Sequence, residues 1–193
     1  MVAIDRIPAG YEGAGVALDN RKAGEMAAND LVELGHRKVA QIRGPEHLQL
    51  ARERENGFRS VLENSGIEMV CPGSEASGWF CEAGYLKMLD VLRCAPDLTA
   101  LFAASDRLAI GAMRAITEQG KKVPEDISVI GVDDIEVSAY QNPPLTTIRQ
   151  SFADLGLKAV SILFEIISGA KDKDRQVMIV PKLVVRESTR KLD

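Results

Sequence analysis

The sequence predicts an α/β protein built around a doubly wound parallel sheet, with one complete lobe and remnants of a second. Short apolar runs of strand length alternate with longer amphipathic stretches, which is the pattern of βαβ units. Ser105 and Asp106 follow the run at 99–103, and Asp133 follows the run at 127–132. Because ligands bind outside the carboxyl ends of parallel strands, the same pattern predicts a small-molecule cleft.

Each element is predicted from its local pattern. Helices are expected where apolar residues recur every three or four positions and a glycine follows the last turn. They span residues 19–34, 51–64, 79–92, 106–119 and 152–168. Strands are expected as short apolar runs bounded by loop-forming residues such as the Gly- and Pro-rich stretch at 7–15. They span residues 2–4, 39–42, 68–71, 99–103, 127–132 and 177–185, the last interrupted by Pro181.

The elements are distributed unequally between two lobes. Residues 39–132 supply about four strands and three helices, enough for one doubly wound lobe. The flanking pieces are too few to close a second lobe. We expect a remnant of an N-terminal lobe at 1–17, the C-terminal lobe at 18–149, a return segment of the N-terminal lobe at 150–175, and a final strand region of the C-terminal lobe with the tail at 176–193.

The composition argues against a chain that binds nucleic acid by itself. Its 193 residues carry 24 Lys and Arg against 28 Asp and Glu, a net charge of −4 at pH 7, whereas phosphate binding needs a basic face. No stretch reaches the roughly 18 apolar residues of a membrane span, and the amino terminus lacks signal-peptide features. We expect a cytoplasmic protein in which Cys71, Cys81 and Cys94 are free thiols without metal-ligand spacing.

Several phrases, in their order and spacing, make the chain similar to the lac-repressor family of bacterial transcription regulators. They are LVELGHRKVAQI at 31–42, RENGFR at 54–59, DRLAIGAMRA at 106–115, PPLTTI at 143–148 and LVVRES at 183–188. The resemblance covers nearly the whole chain. It implies the fold of type I periplasmic binding proteins, in which two doubly wound lobes are joined by three crossovers and an effector binds in the cleft.

The resemblance also implies what this chain lacks and what it binds. Family members begin with a helix-turn-helix domain, a hinge helix and the first half of the N-terminal lobe, and none of these precedes Met1. We therefore expect a carboxy-terminal fragment that binds no operator DNA, because DNA contact belongs to the missing domain. The expected partners are a small-molecule effector, by default a sugar or sugar derivative, and a second copy in a homodimer. No cofactor is expected.

Asp133 and Arg54 are the first candidates for effector binding. Asp133 follows a buried strand and Gly131, which would let the chain approach a ligand closely, and a carboxylate accepts hydrogen bonds from adjacent hydroxyls. The matching Asp of the family binds effector hydroxyls. Arg54 occupies a ligand-contacting position of the family and offers a planar fork of donors. The alternatives are a turn or cap for Asp133 and a surface ion pair with Glu53 or Glu55 for Arg54.

Ser105 and Trp79 are further candidates on the same lobe. Ser105 stands where many family members carry Asn, and either it or Asp106 must also cap the following helix. Trp79 matches an aromatic residue that stacks on sugar rings in some relatives, because the apolar face of a pyranose packs on an indole. A buried or interface position is the alternative for Trp79. Asp134 is expected to have a structural role in the turn.

Three candidates lie at or beyond the edge of the C-terminal lobe. By the same resemblance, Phe152 follows the second crossover and would form the floor of the cleft, although a core position is an equal alternative. Asp5 and Leu18 would lie on the N-terminal side of the cleft. These assignments depend on the family alignment and not on local chemistry.

The resemblance also implies a homodimer contact on the C-terminal lobe. Its residues would leave an apolar patch if they were unpaired, and packing inside one lobe is the alternative. They are Tyr85, Ile110, Met113, Arg114 and Tyr140.

No catalytic or metal-binding constellation is visible in the sequence. His36 follows a helix, where it is expected to meet helix carbonyls, and neither His36 nor His47 follows a strand as a catalytic base would. We therefore predict the effector-sensing and dimerising part of a cytoplasmic transcription regulator and not an enzyme. A periplasmic-type solute-binding protein for sugar transport is the alternative, because it shares the fold.

Overall fold

Two separate sheets organise the chain in a computed structural model that describes residues 1–8, 10–71, 75–169 and 176–192. The elements in chain order are β1 (Ala3–Ile4), β2 (Gly15–Leu18), α1 (Asn20–Glu33), β3 (Val39–Ile42), α2 (Gln49–Asn64), α3 (Cys81–Cys94), β4 (Ala100–Ala103), α4 (Asp106–Glu118), β5 (Ser128–Asp133), a 3-10 helix (Glu136–Tyr140), β6 (Thr146–Arg149), α5 (Phe152–Ile167), β7 (Gln176–Ile179) and β8 (Lys182–Val184). They form two compact units. Unit 1 comprises Met1–Asp19 and Gln150–Pro181, and unit 2 comprises Asn20–Arg149 and Lys182–Asp193.

Unit 1 is a small parallel sheet with one helix packed on it. Its strand order is β1-β2-β7, and both pairings are parallel. Helix α5 buries Leu155, Ala159 and Ile162, which recur at helical spacing and pack with Val16 of β2. Gly169, whose φ is 87°, follows the last turn and ends the helix in the manner expected of a C-terminal glycine.

Unit 2 is a doubly wound lobe. Its strand order is β3-β4-β5-β6-β8, in which the first four strands are parallel and β8 pairs antiparallel with β6. Successive strand residues point to opposite faces of the sheet. Leu101 and Ala103 of β4 therefore pack with the α3–α4 core, whereas Phe102 stacks on Phe58 of α2 with ring centroids 4.6 Å apart. The two faces of the sheet are thus covered by different helix pairs.

Glycines set the close approach of the helices within each pair. A Cβ atom at Gly24 of α1 would overlap the α2 backbone at Arg54, and a Cβ atom at Gly57 of α2 would overlap the α1 backbone at Arg21. This close contact fixes the distance between α1 and α2, and with it the position of Arg54 relative to the sheet. The pair α3–α4 uses the same device, because Cβ atoms at Gly84 and Gly111 would each meet the partner helix backbone.

Several expected elements differ from the structure. Strands β2 and β6 were not predicted, because β2 directly follows the Gly- and Pro-rich stretch and β6 comes just after Pro143 and Pro144. The expected strand at 68–71 is reduced to an isolated bridge between Met69 and Val39. The expected region at 176–193 is divided, because β7 joins the sheet of unit 1 while β8 joins that of unit 2. Pro181 stands at this change of sheet, where no ladder hydrogen bond needs its missing N–H.

The cysteine prediction was wrong for two of the three residues. Cys71 and Cys94 form a disulfide with Cα atoms 6.1 Å apart, and only Cys81 is a free thiol. Their separation of 23 residues along the chain gave no signal, because the segment that carries Cys71 returns to the end of α3 only in the folded lobe.

Candidate functional site

Arg54 lies beneath the carboxyl edge of the sheet of unit 2, where it contacts Asn20, Ala104 and Asp133. Its side chain is only 4% exposed. The Nε atom donates to Asn20 Oδ1 at 2.9 Å, and Nη1 donates to the Ala104 carbonyl at 2.6 Å. The Nη2 atom lies 3.6 Å from Asp133 Oδ1. These contacts fix the guanidinium plane, and they replace the surface pair with Glu53 or Glu55 that the sequence left open.

Asp133 forms the last residue of β5 and presents its carboxylate at this edge. Its side chain is 24% exposed, so one part meets Arg54 while another part is accessible. The backbone φ of Asp133 is 116°, a value that L-residues rarely adopt and that costs about 1–3 kcal/mol. Such strain persists where the surroundings impose it, and it concentrates at binding sites.

Asp134 has a structural role next to this carboxylate, as the sequence suggested. It accepts hydrogen bonds from Arg149 Nε at 2.5 Å and Arg186 Nη2 at 2.6 Å. Burial alone would raise the pKa of Asp134, but the hydrogen bonds and charges of the two arginines together lower that pKa below its ordinary value. Asp134 therefore stays ionised and ties β5, β6 and the C-terminal segment together.

Gly131 allows a close approach within the protein itself. A Cβ atom at this position would overlap Oδ1 of Asp106, so the space beside the glycine holds a protein carboxylate. Asp106 is fully buried. It accepts hydrogen bonds from the Ile135 amide at 2.9 Å and the Ser138 hydroxyl at 2.6 Å, and a third from the Thr147 hydroxyl. Burial raises the pKa of Asp106, and the three hydrogen bonds oppose that rise.

Ser105 caps α4, which resolves the alternative between it and Asp106. Its hydroxyl accepts a hydrogen bond from the Leu108 amide at 3.3 Å, as an N-cap residue does. The side chain is 4% exposed. Its position after β4 places it at the same edge as Asp133, and its ligand role remains a prediction.

Trp79 covers the end of β3. A Cβ atom at Gly44 would overlap the outer edge of the indole ring of Trp79, so the ring is in close contact with this glycine just past the strand. The residue is half-buried and packs at the border of the α3–α4 core, and its buried indole N–H has no hydrogen-bond partner among the residues that the structure describes. Its position is compatible with both the stacking role and the core role.

Unit 1 carries its three candidates at the carboxyl edge of its own sheet. Asp5 follows β1 with a φ of 65° and accepts a hydrogen bond from Gln150 Nε2 at 2.7 Å. Leu18 is the last residue of β2 and is buried. Phe152 opens α5 and is 61% exposed, so the core alternative for it is wrong.

Four of the five expected dimer residues line one groove on the outer surface of α3 and α4. The groove has a volume of about 890 Å³, and Tyr85, Ile110, Met113 and Arg114 are among its walls. The Tyr85 hydroxyl donates to Glu118 at 2.7 Å, and the guanidinium of Arg114 lies 5.6 Å from the Tyr85 ring centroid. Tyr140 lies outside this groove, and its side chain is 79% exposed.

The histidines have no arrangement that binds metal. His36 is buried, with Nδ1 at 3.1 Å from the Thr99 hydroxyl and Nε2 at 3.2 Å from the Arg190 carbonyl. The expectation that the His36 side chain meets helix carbonyls was therefore wrong. Burial lowers the pKa of His36. Within the described ranges, no group of three or more His, Cys, Asp or Glu is placed to hold a metal ion.

Sequence analysis missed two residues of this site, Asn20 and Asp106. Asn20 was not singled out within the predicted helix at 19–34, yet its side-chain oxygen accepts a hydrogen bond from Arg54. Asp106 was expected at the edge of the cleft or as a helix cap, yet its carboxylate accepts hydrogen bonds from three other segments. The one sequence signal for this role of Asp106 was its place at the start of a helix whose residues from Leu108 onwards are mostly apolar.

A family model described as a periplasmic binding protein-like domain matches residues 28–189. The chain belongs to this periplasmic-binding-protein-like family. Among its relatives is the transcriptional repressor PurR of Mannheimia succiniciproducens, which is 38% identical over 176 residues, 91% of this chain and 53% of that protein. The periplasmic-binding-protein-like chain spans about half the length of the curated relatives it matches.

Solved structures of transcription regulators confirm the fold of the periplasmic-binding-protein-like chain. A complex of the transcriptional regulator CelR with cellobiose has a TM-score of 0.88 at 32% identity, covering 97% of this chain and 58% of that one. The lac repressor dimer bound to operator and the anti-inducer ONPF has a TM-score of 0.88 at 33% identity, covering 98% and 65%. The resemblance to the lac-repressor family and the α/β class are thereby confirmed.

Proposed function

We propose that this chain is the effector-binding and dimerising region of a bacterial transcription regulator of the lac-repressor family. The observation that carries the proposal is the pair of Arg54 and Asp133 at the carboxyl edge of unit 2. A guanidinium fixed by two hydrogen bonds and a partly exposed carboxylate offer donors and acceptors side by side. Adjacent hydroxyl groups of a sugar match such a pair, because each hydroxyl both donates and accepts.

The ligand class is proposed from chemistry and supported by relatives. Trp79 adds a flat apolar surface near the same edge, on which a sugar ring packs well. Ser105 adds a hydroxyl at this edge, whereas Phe152, Asp5 and Leu18, which lie in unit 1, stay predictions from the family resemblance. One structural relative is a complex with cellobiose, and another relative is named a ribose operon repressor. We propose a sugar or a sugar derivative as the effector.

Effector binding would act by shifting an equilibrium between two arrangements of the protein. A ligand changes such an equilibrium only by its difference in affinity for the two states. The strained turn at Asp133 would be the place where the effector acts. A bound effector hydroxyl would compete with Arg54 for the Asp133 carboxylate and so favour one of the two arrangements. DNA contact would belong to a separate domain of a longer polypeptide, and the acidic chain itself is proposed not to bind operator DNA.

We also propose a cytoplasmic location and a homodimer, both from the similarity to transcription regulators of the lac-repressor family. No helix of the described residues is long and apolar enough to cross a membrane. The groove on α3 and α4 supplies a concave apolar surface with charged edges, and Tyr140 adds an exposed aromatic ring. A lac repressor relative is a dimer in its solved complex.

One observation favours the alternative of an exported solute-binding protein. The Cys71–Cys94 disulfide is of a kind that persists in oxidising compartments and is rare in the cytosol. Against it, the matched relatives are regulators of transcription. Thiol alkylation and intact mass would give the redox state of these two cysteines after expression in a bacterial cytosol. That redox state would help to distinguish a cytoplasmic regulator from an exported solute-binding protein.

A sugar screen tests the proposed function directly. Thermal-shift measurements with cellobiose, ribose and a panel of mono- and disaccharides should give one compound that raises the melting temperature, since a ligand at 100 times its Kd stabilises by about 2.7 kcal/mol. The longest reading frame that contains this chain should be tested beside the chain itself. A panel in which nucleobases or amino acids bind and no sugar does would contradict the proposed ligand class.

A further inference from the structure

Asp106 lies where four segments of unit 2 meet, and none of the proposed effector contacts accounts for it. It is the first residue of α4 and is fully buried. Its Oδ2 atom accepts from the Ile135 amide and from the Ser138 hydroxyl, and its Oδ1 atom accepts from Thr147 of β6. A buried carboxyl group is costly unless its oxygens are well bonded, and the donors to Asp106 come from three other segments of unit 2.

The first of these bonds controls the turn that carries the proposed effector carboxylate. Ile135 is two residues from Asp133, and both Asp133 and Asp134 have positive φ values, 116° and 56°. A turn with two such residues needs a tie at its far end, because it would otherwise relax to a less strained conformation. The hydrogen bond from the Ile135 amide to Asp106 is that tie, at 2.9 Å.

The second bond reaches the surface proposed for dimerisation. Ser138 belongs to the 3-10 helix, where Val137 and Tyr140 are 45% and 79% exposed. The Ser138 hydroxyl donates to the same oxygen that receives the Ile135 amide, at 2.6 Å. Asp106 itself opens α4, the helix that carries Ile110 along the groove.

Gly131 shows that the fold reserves space for this carboxylate. It lies in β5, two residues before Asp133, and any side chain there would displace Oδ1 of Asp106. The glycine has no positive φ and closes no turn, so a close approach is the reason that this position needs one.

We propose that Asp106 is a positioning residue that holds the Asp133 turn and couples it to the dimer surface formed by α4 and the 3-10 helix. Through one carboxylate, a displacement of Asp133 by a ligand reaches Tyr140 without a contact between them. The positioning role stands on the geometry alone, whereas the coupling to dimerisation rests on the proposed function.

Hydrogen exchange measures the positioning role without any ligand. In Asp106→Ala, the Ile135 amide loses the acceptor that Asp106 provides, and its exchange should accelerate by about tenfold to a hundredfold, the range for one hydrogen bond to a carboxylate. Asp106→Asn should restore most of the protection, because its carbonyl can accept from Ile135 and Ser138 while its amide donates to the Thr147 hydroxyl. Gly131→Ala should reproduce the effect of Asp106→Ala. Gly156→Ala, where a Cβ atom meets no other atom within 4 Å, is the matched control.

The coupling is measured by the dimer dissociation constant from sedimentation. Ser138→Ala keeps the effector turn bonded to Asp106 but releases the 3-10 helix, and it should weaken the dimer while leaving Ile135 protected. Unchanged Ile135 exchange in both Asp106→Ala and Gly131→Ala would overturn the positioning role. A wild-type dimer unaffected by Ser138→Ala and Asp106→Ala would overturn the coupling. A monomeric wild type would refute the proposed dimer and the coupling with it, while the exchange data would still decide the positioning role.

Discussion

Replacement of Asp133 by glycine should separate binding from stability. The proposed function makes Asp133 an acceptor for effector hydroxyls, and the structure shows that its backbone is strained, with a φ of 116°. Glycine removes the carboxylate and adopts this φ without strain. The same change at Asp134, whose φ is 56°, makes a matched control. The Asp134 carboxylate accepts hydrogen bonds from two arginines and is not a proposed effector contact.

The contributions to stability nearly cancel in Asp133→Gly. Relief of backbone strain stabilises by about 1–3 kcal/mol. The greater freedom of glycine in the unfolded chain costs roughly 0.5–1 kcal/mol. The contact between Asp133 and Arg54 is long, at 3.6 Å, but Arg54 is only 4% exposed, so its loss costs about 1–3 kcal/mol. The net change in the free energy of unfolding lies between about 3 kcal/mol destabilising and about 1.5 kcal/mol stabilising, a shift of a few degrees in melting temperature.

Asp134→Gly should behave in the opposite way. Its side chain is only 8% exposed and holds Arg149 and Arg186. Removing it leaves Arg186, itself largely buried, without its carboxylate, and breaking a buried charge network costs about 3–5 kcal/mol. Strain relief offsets only part of this loss. We expect a clear fall in melting temperature and an effector affinity that changes little.

Calorimetric titration and thermal denaturation of the wild type, Asp133→Gly and Asp134→Gly distinguish a binding role of Asp133 from a structural one. The probe is the sugar that gives the largest thermal shift, with cellobiose tested first. Asp133→Gly should lose about 1.5–3 kcal/mol of binding free energy, which is roughly tenfold to over a hundredfold in affinity. The reasoning is refuted if Asp133→Gly binds the probe like the wild type and melts at a much lower temperature, because Asp133 would then be structural.

Three further predictions address the dimer, the disulfide and a buried histidine. Ile110→Asp should shift the chain towards monomer in light scattering, because it places a charge in the groove on α4, whereas Asn64→Asp on α2 should not; equal masses for both would contradict the proposed interface. Reduction of Cys71–Cys94, which closes a loop across 23 residues, should lower stability by about 3 kcal/mol in urea denaturation, and a Cys71→Ser/Cys94→Ser variant should then be insensitive to reductant. Because burial lowers the pKa of His36 in the folded state, stability should be fully present above the unfolded value of about 6.5 and decrease as the pH falls from there towards the folded value; a slope that persists in His36→Gln would assign it to another group.

The sequence alone determined the fold class and the edge of the sheet where the proposed site lies. Apolar runs that alternate with amphipathic helices predict parallel strands, and polar residues after those runs fall at the carboxyl edge. Asp133 and Ser105 were placed there correctly for this reason. Helix ends were also readable, because Gly35, Gly120 and Gly169 adopt positive φ values after their helices.

Short elements and long-range pairings were decided only by the tertiary structure. Strands β2 and β6 adjoin loop-forming residues that conceal them in the sequence, and their pairing with β7 and β8 joins segments far apart in sequence. The disulfide of Cys71 and Cys94 depends on a fold that brings a loop to the end of a helix. A local pattern carries no information on such contacts, since each depends on how distant segments pack.

The purpose of individual polar residues was the least readable from sequence. Asp106 and Gly131 form one contact across 25 positions, counted from residue 106 to residue 131, yet each has a plausible local explanation, a cap for one and a flexible turn for the other. The structure shows that the glycine makes room for the carboxylate, and that Ser105 provides the cap. Burial decides this outcome, because a carboxylate removed from water must find donors wherever the fold supplies them, and those donors come from segments that the sequence does not bring together.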